Sequence, residues 1–375
     1  MNTTSSKPTT KSLTTFHPLR VCHVQPDADD AVIVSFDVPD DLKPTYRFAA
    51  GQYLTLRHEV QGQDLRRSYS ICSAPGEALR VGVRKVRGGV FSTWLHEHLK
   101  AGDLVQVLPP QGHFGDALMR QPTRPAHTLL VAAGSGITPM VSIAKDLLQS
   151  SKSSRVTLLY GNRQVVSTMF KEELEDLKNR YLTRLALHTV FSREVVDAPS
   201  DSPLAAGRLD GARIQSFLQS LVDPKSLGQV FVCGPNAFND EAEAALLAAG
   251  ISADRIHIER FGAPPSQEGT PAHEVLPGDA EDARVVLIRD GLTREFGFRK
   301  RQDSSVLDAA ARAGLDVPYS CKSGVCATCR CKVVEGQVRM DRNFALEKAD
   351  LEAGFVLSCQ AHPLTDRVVL SFDDR

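Results

Sequence analysis

The hydrophobic rhythm of the chain changes twice. Between Phe16 and Pro122 the apolar residues come in short bursts, Ala31–Phe36, Gln52–Leu56, Leu79–Val83 and Asp103–Val107, separated by turns rich in Pro and Gly. Such runs predict short antiparallel strands gathered into a barrel or sandwich. From Thr128 the pattern becomes strand then helix, repeated. The apolar runs Leu129–Ala133, Val156–Tyr160, Ala186–Phe191 and Val230–Cys233 alternate with helical stretches, one of them Met140–Leu148. That alternation predicts an α/β domain on a doubly wound parallel sheet. From Gly262 to Asp282 apolar content almost vanishes and Pro, Gly and Ser accumulate, as in a flexible linker. Beyond it, short strands surround one helix at Val306–Ala313, with Ser304 or Ser305 as its cap and Gly314 as its stop. The expected layout is a disordered tail at 1–15, domains at 16–122, 123–262 and 283–375, and a linker at 263–282.

Composition narrows the partners. The 375 residues carry 44 Lys plus Arg against 45 Asp plus Glu, a balance that argues against nucleic acid. No apolar run approaches the roughly 18 residues of a membrane span. The tail is rich in Ser, Thr and Lys, lacks an apolar core segment and is not a secretory signal; a transit peptide is the alternative to a disordered tail. Eight cysteines without a disulfide-like framework imply a reducing compartment, and therefore a cytoplasmic protein.

Half of those cysteines form a pattern. Cys321, Cys326 and Cys329 stand in Cys-Lys-Ser-Gly-Val-Cys-Ala-Thr-Cys, and Cys359 follows after a long gap. This is the C-x4-C-x2-C…C spacing of a plant-type [2Fe-2S] cluster, in which a tight loop supplies three thiolates and a distant segment closes the site. A structural zinc site is the alternative, although zinc sites favour paired C-x2-C knuckles. Ser323 and Gly324 let the loop fold around sulfide, and Cys331, outside the spacing, is expected to fill space.

The middle segment carries a nucleotide signal. Gly134-Ser-Gly136-Ile-Thr138-Pro139 lies between a predicted strand and a predicted helix, where backbone can approach a pyrophosphate and the helix N-terminus favours its charge. Arg163 and the pair Ser192-Arg193 close two further strands on the ligand-binding side, and a guanidinium fork suits the 2′-phosphate of NADPH. In the first segment Arg66-Arg67-Ser68-Tyr69-Ser70 offers cations, a ring and hydroxyls. Arg84 to Ser92, which includes Lys85 and Gly89-Val90-Phe91-Ser92, leads into a helix expected to begin at Thr93. A flavin needs these groups, yet Tyr69 also suits a barrel wall and Ser92 an ordinary helix cap.

Arg67-Ser-Tyr-Ser70, Gly88-Gly-Val-Phe-Ser92, Gly134-Ser-Gly-Ile-Thr-Pro139 and Cys233-Gly234-Pro235, followed by the cysteine loop, resemble the ferredoxin-NADP reductase superfamily fused to a C-terminal plant-type ferredoxin domain of β-grasp fold. More narrowly, Arg66–Cys72, Pro110–Phe114, Ala132–Met140, Tyr160–Arg163 and Gly324–Cys329 resemble the reductase subunits of phenylacetyl-CoA epoxidase complexes.

The resemblance implies that Arg67 holds the pyrophosphate of FAD, Tyr69 stacks on its ring and Ser70 hydrogen-bonds near N5. It implies that Gly89 to Ser92 cradle phosphate, and that Gly134, Gly136, Thr138 and Pro139 receive the NADPH pyrophosphate. Cys233 would lie near the nicotinamide and Phe261 would border the flavin, with core packing the alternative for both. Electrons would pass from NADPH to FAD to the cluster, because a flavin tolerates both one- and two-electron states. The linker would let the last domain move between flavin and acceptor.

The acceptor implied is a separate di-iron oxygenase, since this chain has no Glu-x-x-His pair for such a centre. Rieske dioxygenases, cytochromes P450 and ketosteroid or alkane hydroxylases are alternative acceptors. A redox-sensing protein is the competing class, and it would not need both nucleotide sites. Residues 283–375 hold fifteen basic and thirteen acidic residues, so the cluster domain is not strongly acidic.

Overall fold

The structure is a computed structural model that describes residues 15–120, 123–194, 207–262 and 273–374. Its first sheet holds β1 (His17–Ala28), β2 (Ala31–Asp37), β3 (Tyr53–Val60), β4 (Gln63–Ser70), β5 (Leu79–Arg84) and β6 (Leu104–Val107). All pairings are antiparallel, in the order β4-β3-β6-β1-β2-β5. A bridge between Ile71 and Val81 brings the two edges together and closes the sheet into a barrel. Alternate residues such as Leu54, Leu56, Val81, Val105 and Val107 fill its interior, as the period of two requires. Helix α1 (Val90–Glu97) adds Phe91 and Leu95 to that core, and a short α2 follows at Asp116–Met119.

Hydropathy alone misses β4. Its sequence, Gln-Asp-Leu-Arg-Arg-Ser-Tyr-Ser, is polar because most of its side chains face the nucleotide cavity or the third domain, while Leu65 and Tyr69 pack on the barrel core. Helix α1 also starts earlier than expected. Gly89 precedes it, and Ser92 sits inside the first turn, accepting from the Val86 N–H at 3.0 Å and donating to the Gly89 carbonyl at 3.2 Å. Ser92 therefore pins the turn before the helix and does not cap it.

The second domain runs β7 (His127–Ala133), α3 (Ile137–Ser150), β8 (Arg155–Asn162), α4 (Lys171–Arg180), β9 (Leu185–Phe191), α5 (Gly211–Ser220), β10 (Gln229–Gly234), α6 (Asn236–Ala248) and β11 (Ile256–Arg260). The sheet is wholly parallel, in the order β11-β10-β7-β8-β9. The chain builds outward from β7 on one side, then returns to add β10 and β11 on the other. The crevice for ligands opens where that order reverses, above the C-terminal ends of β7 and β10.

The third domain contains β12 (Asp282–Arg289), β13 (Leu292–Arg299), α7 (Val306–Arg312), β14 (Arg330–Glu335), β15 (Val338–Met340), α8 (Lys348–Glu352), β16 (Phe355–Leu357), β17 (Ala361–Pro363) and β18 (Arg367–Ser371). Five strands form a mixed sheet, β13-β12-β18-β14-β16, and β15 pairs with β17. Ser305 caps α7, its hydroxyl accepting from the Asp308 N–H. This α+β arrangement is a β-grasp.

Of the expected tail, residues 1–14 lie outside the described residues, and so do 263–272 of the expected linker. The second half of that linker is packed onto the third domain. Asp279 is buried against Arg339, with Oδ1 to Nε at 2.5 Å, and His273 Nδ1 lies 2.9 Å from Asp341 Oδ2. Asp341 also meets His362 Nε2 at 2.7 Å. Polar anchors of this kind leave no trace in a hydropathy pattern. Among the described residues no helix is long and apolar enough to cross a membrane.

Candidate functional site: a two-faced strand between a nucleotide cavity and a cysteine cage

Strand β4 organises the site because adjacent residues of a strand face opposite ways. Arg67 and Tyr69 line a cavity of about 600 Å³ between the barrel and the parallel sheet. Arg66 points away from it, toward the third domain, where its guanidinium meets Asp316 at 2.6 Å.

The cavity is built for a large anion carrying an aromatic system. Around it stand Arg67, Arg84, Lys85, Arg87 and Arg163, against one carboxylate among the described residues, that of Asp30. Tyr69 and Phe91 stack with centroids 6.3 Å apart, and Val90 and Phe261, 41% and 46% exposed, present apolar surface to the opening. Gly89, Ser92, Ser70 and Thr138 complete the wall. These donors and rings suit the phosphates and ring of a flavin dinucleotide.

A smaller cavity of about 230 Å³ adjoins the first and shares Arg84, Ser135, Arg163 and Phe261 with it. Its other walls are Ala133, Gly134, Gly234, Pro235, Asn236 and Gly262. The two groups that form it lie at the ends of β7 and β10, the topological switch point. Gly134 has φ +57, and Gly136 touches the neighbouring strand so closely that an added Cβ would sit 2.0 Å from the Cys233 carbonyl oxygen. Thr138, in the first turn of α3, donates to the Ser135 carbonyl at 3.0 Å, and Pro139 follows within the same turn. The N-terminus of this 14-residue helix faces the crevice and favours an anion there.

Not every expected residue reaches these cavities. Ser192 and Arg193 lie just past β9, their N–H groups bonded to the carbonyls of Asn162 and Arg163 at 3.0 and 2.9 Å, and they line neither cavity. Cys233 is fully buried at the end of β10, where burial pushes its thiol well up, and only its neighbours Gly234 and Pro235 reach the smaller cavity.

One residue that sequence reasoning left without a role joins the two domains. The Ser70 hydroxyl donates to Glu259 Oε2 at 3.2 Å, tying β4 to β11. Burial pushes the Glu259 carboxyl up to about 8, opposed by the bond from Ser70. The only sequence signal was its place two residues before Phe261, at the end of the last strand.

On the other side of β4 lies the cysteine cage. Cys321, Cys326 and Cys329 come from the loop after α7, and Cys359 from the turn between β16 and β17. None of the four is in a disulfide. Hydrogen bonds from Cys326 and Cys359 hold the Cys321 thiol far below its ordinary value, and the same contacts push Cys326 and Cys359 up. The Ser323 N–H points at the Cys321 sulfur at 3.4 Å. Lys322, Gly324 and Ala327 all have positive φ, so the loop curls tightly around one point.

Among the described residues the one set of three ligand-bearing side chains gathered within 4.8 Å is His273, Asp341 and His362. Three thiols from one tight loop and a fourth from a distant turn suit a plant-type [2Fe-2S] cluster. Cys331, fully buried in β14, belongs to the core.

A dinucleotide cavity, a nucleotide crevice and a four-cysteine cage define a flavin- and iron–sulfur-containing pyridine-nucleotide oxidoreductase. Three family descriptions match in succession: oxidoreductase FAD-binding domain at residues 19–115, oxidoreductase NAD-binding domain at 130–244, and 2Fe-2S iron-sulfur cluster binding domain at 290–364. The chain belongs to the family of reductase components that join these three domains in this order.

It is 46% identical to one of the subunits of 1,2-phenylacetyl-CoA epoxidase from Escherichia coli (strain K12), over 96% of this chain and 99% of the relative. It is 36% identical to the ferredoxin reductase component of 3-ketosteroid-9-alpha-monooxygenase from Mycobacterium tuberculosis (strain ATCC 25618 / H37Rv), over 95% of this chain and 96% of the relative. Its fold matches that of phthalate dioxygenase reductase, with a TM-score of 0.56 and 23% identity over 95% of this chain and 98% of that one.

Proposed function

We propose that this chain oxidises NADPH and delivers the electrons singly to a separate di-iron oxygenase that epoxidises phenylacetyl-CoA. The observation that carries the choice of acceptor is the 46% identity to the Escherichia coli epoxidase protein, spread over nearly the full length of both chains. When bound, FAD supplies the conversion between hydride transfer and single-electron transfer.

The protein's own residues hold and orient. Arg67, Lys85 and the Gly89–Ser92 turn take the flavin phosphates, Tyr69 takes the ring face, and Phe261 covers the ring where the two cavities meet. Gly134, Gly136, Thr138 and Pro139 take the nucleotide pyrophosphate, with Gly234 and Pro235 forming the opposite wall and Cys233 fixing their backbone from beneath. Arg163 takes the 2′-phosphate together with Ser192 and Arg193, which stand beside it outside the two cavities. Ser70 and Glu259 form a proton-holding pair, in which burial pushes the carboxyl up to about 8. Cys321, Cys326, Cys329 and Cys359 hold the cluster.

The test is reconstitution. The purified protein, supplied with NADPH and the oxygenase subunits of a phenylacetyl-CoA epoxidase, is expected to consume phenylacetyl-CoA. A 36% relative that serves 3-ketosteroid-9-alpha-monooxygenase makes that oxygenase the control. Turnover with the steroid oxygenase alone would overturn the acceptor, and equal efficiency with NADH would overturn the nucleotide.

A further inference from the structure

Arg66 is a charged side chain only 3% exposed, and a guanidinium taken out of water needs partners. Its own barrel gives it one carboxylate, Asp64, at a long 3.4 Å, and the ring of Phe16 at 5.2 Å. The third domain supplies the rest. Asp316 Oδ1 lies 2.6 Å from its Nη2, the Val317 carbonyl accepts from its Nη1 at 3.3 Å, and the ring of Tyr319 lies 4.1 Å from its guanidinium carbon. Arg57 reaches the other oxygen of Asp316 at 3.4 Å.

The contacts around this arginine touch the cysteine loop at both ends. Ser68 Oγ donates to Ser320 Oγ at 3.0 Å, one residue before Cys321. Tyr53 bonds the Cys326 carbonyl and lies 3.1 Å from Thr328 Oγ1. Strand β4 thus carries Arg67 and Tyr69 on the nucleotide cavity and reaches the third domain through Arg66 and Ser68, with Ser68 and Ser70 also bordering the cavity.

We propose that Asp316 and Arg66 are positioning residues that dock the [2Fe-2S] domain on the back of β4, and that this docked contact governs electron passage from flavin to cluster. The proposal rests on the reductase reading above. NADPH supplies two electrons as a hydride, and each passage moves one electron from the reduced flavin to one cluster. Arg66 and Arg57 both pair with Asp316 across this joint, so salt weakens it. Like charge placed at Asp316 would face both Arg57 and Arg66.

The test uses the full-length protein with both cofactors, mixed anaerobically with NADPH, following flavin bleaching and cluster reduction separately. Asp316 has a side chain 56% exposed, so replacing it leaves the domain folded. For Asp316→Lys the expected result is unchanged flavin bleaching and cluster reduction about tenfold slower, with a larger radius of gyration by small-angle scattering. Added salt is expected to slow the parent and to speed Asp316→Lys, and Asp316→Glu is expected to restore most of the rate. Cluster reduction in Asp316→Lys equal to the parent at low and high salt would overturn the docking role. Failure of NADPH to bleach the flavin in the parent would instead strike the reductase reading, so the two failures are distinguishable.

Discussion

Ser70 and Glu259, 189 positions apart in sequence, meet at 3.2 Å where the barrel touches the parallel sheet. The contact places a carboxyl that burial pushes up to about 8 beside the strand that lines the flavin cavity.

The first prediction concerns that carboxyl. Its folded value lies above the ordinary value of 4.5, so the stability it contributes is fully present below about 4.5 and is lost as pH rises through about 8. Thermal unfolding of the wild type should therefore lose a few degrees, roughly 2–4 °C, relative to Glu259→Gln between pH 6 and pH 9.5. Ser70→Ala removes a bond that favours the charged form, and should move the step to higher pH. A parallel pH profile in all three proteins would contradict the assignment.

Gly136 allows the turn after β7 to approach the end of β10. An added Cβ would lie 2.0 Å from the Cys233 carbonyl oxygen, backbone against backbone, with no flexible side chain able to yield. Gly136→Ala should cost about 3 kcal/mol and open the crevice. Gly297→Ala, where nothing lies within 4 Å, should stay within about 0.5 kcal/mol. Denaturant titration of the two variants makes the comparison.

Two cysteines two positions apart should behave oppositely. Cys329 belongs to the cage, whereas Cys331 is fully buried in the β14 core. Cys329→Ser should abolish cluster absorbance and bound iron. Cys331→Ala should keep both and lose about 1 kcal/mol of stability. Iron analysis with a visible spectrum decides between them.

Nucleotide preference should follow Arg163, which borders both cavities. A guanidinium bond to phosphate is worth roughly 1.5–3 kcal/mol, so Arg163→Ala should raise the KM for NADPH about 10- to 100-fold. The KM for NADH should stay nearly constant. Steady-state reduction of cytochrome c with each nucleotide measures the ratio.

Much of this architecture is legible in the chain because its signals are local. A glycine pair at a strand-to-helix turn, the cysteine spacing and the alternation of apolar runs each depend on residues within one loop or one element. The strand β4 was legible as a motif but not as a wall with two sides, since its polar residues give no hint of which face meets which domain. The anchoring of His273 and Asp279 escaped for the same reason: their partners, Asp341 and Arg339, stand 68 and 60 residues away.

The sequence by itself determined the three cofactor-binding classes, because backbone freedom at Gly134 and Gly136 and thiol spacing at Cys321, Cys326, Cys329 and Cys359 are properties of short segments. Only the tertiary structure decided that Arg66 faces Asp316 while Arg67 faces the nucleotide cavity, that Cys233 is sealed beneath the crevice, and that Glu259 stands against Ser70. Each of those facts depends on which remote surface covers a given face. Burial, and the charge state it enforces, exists only after the three domains have packed together.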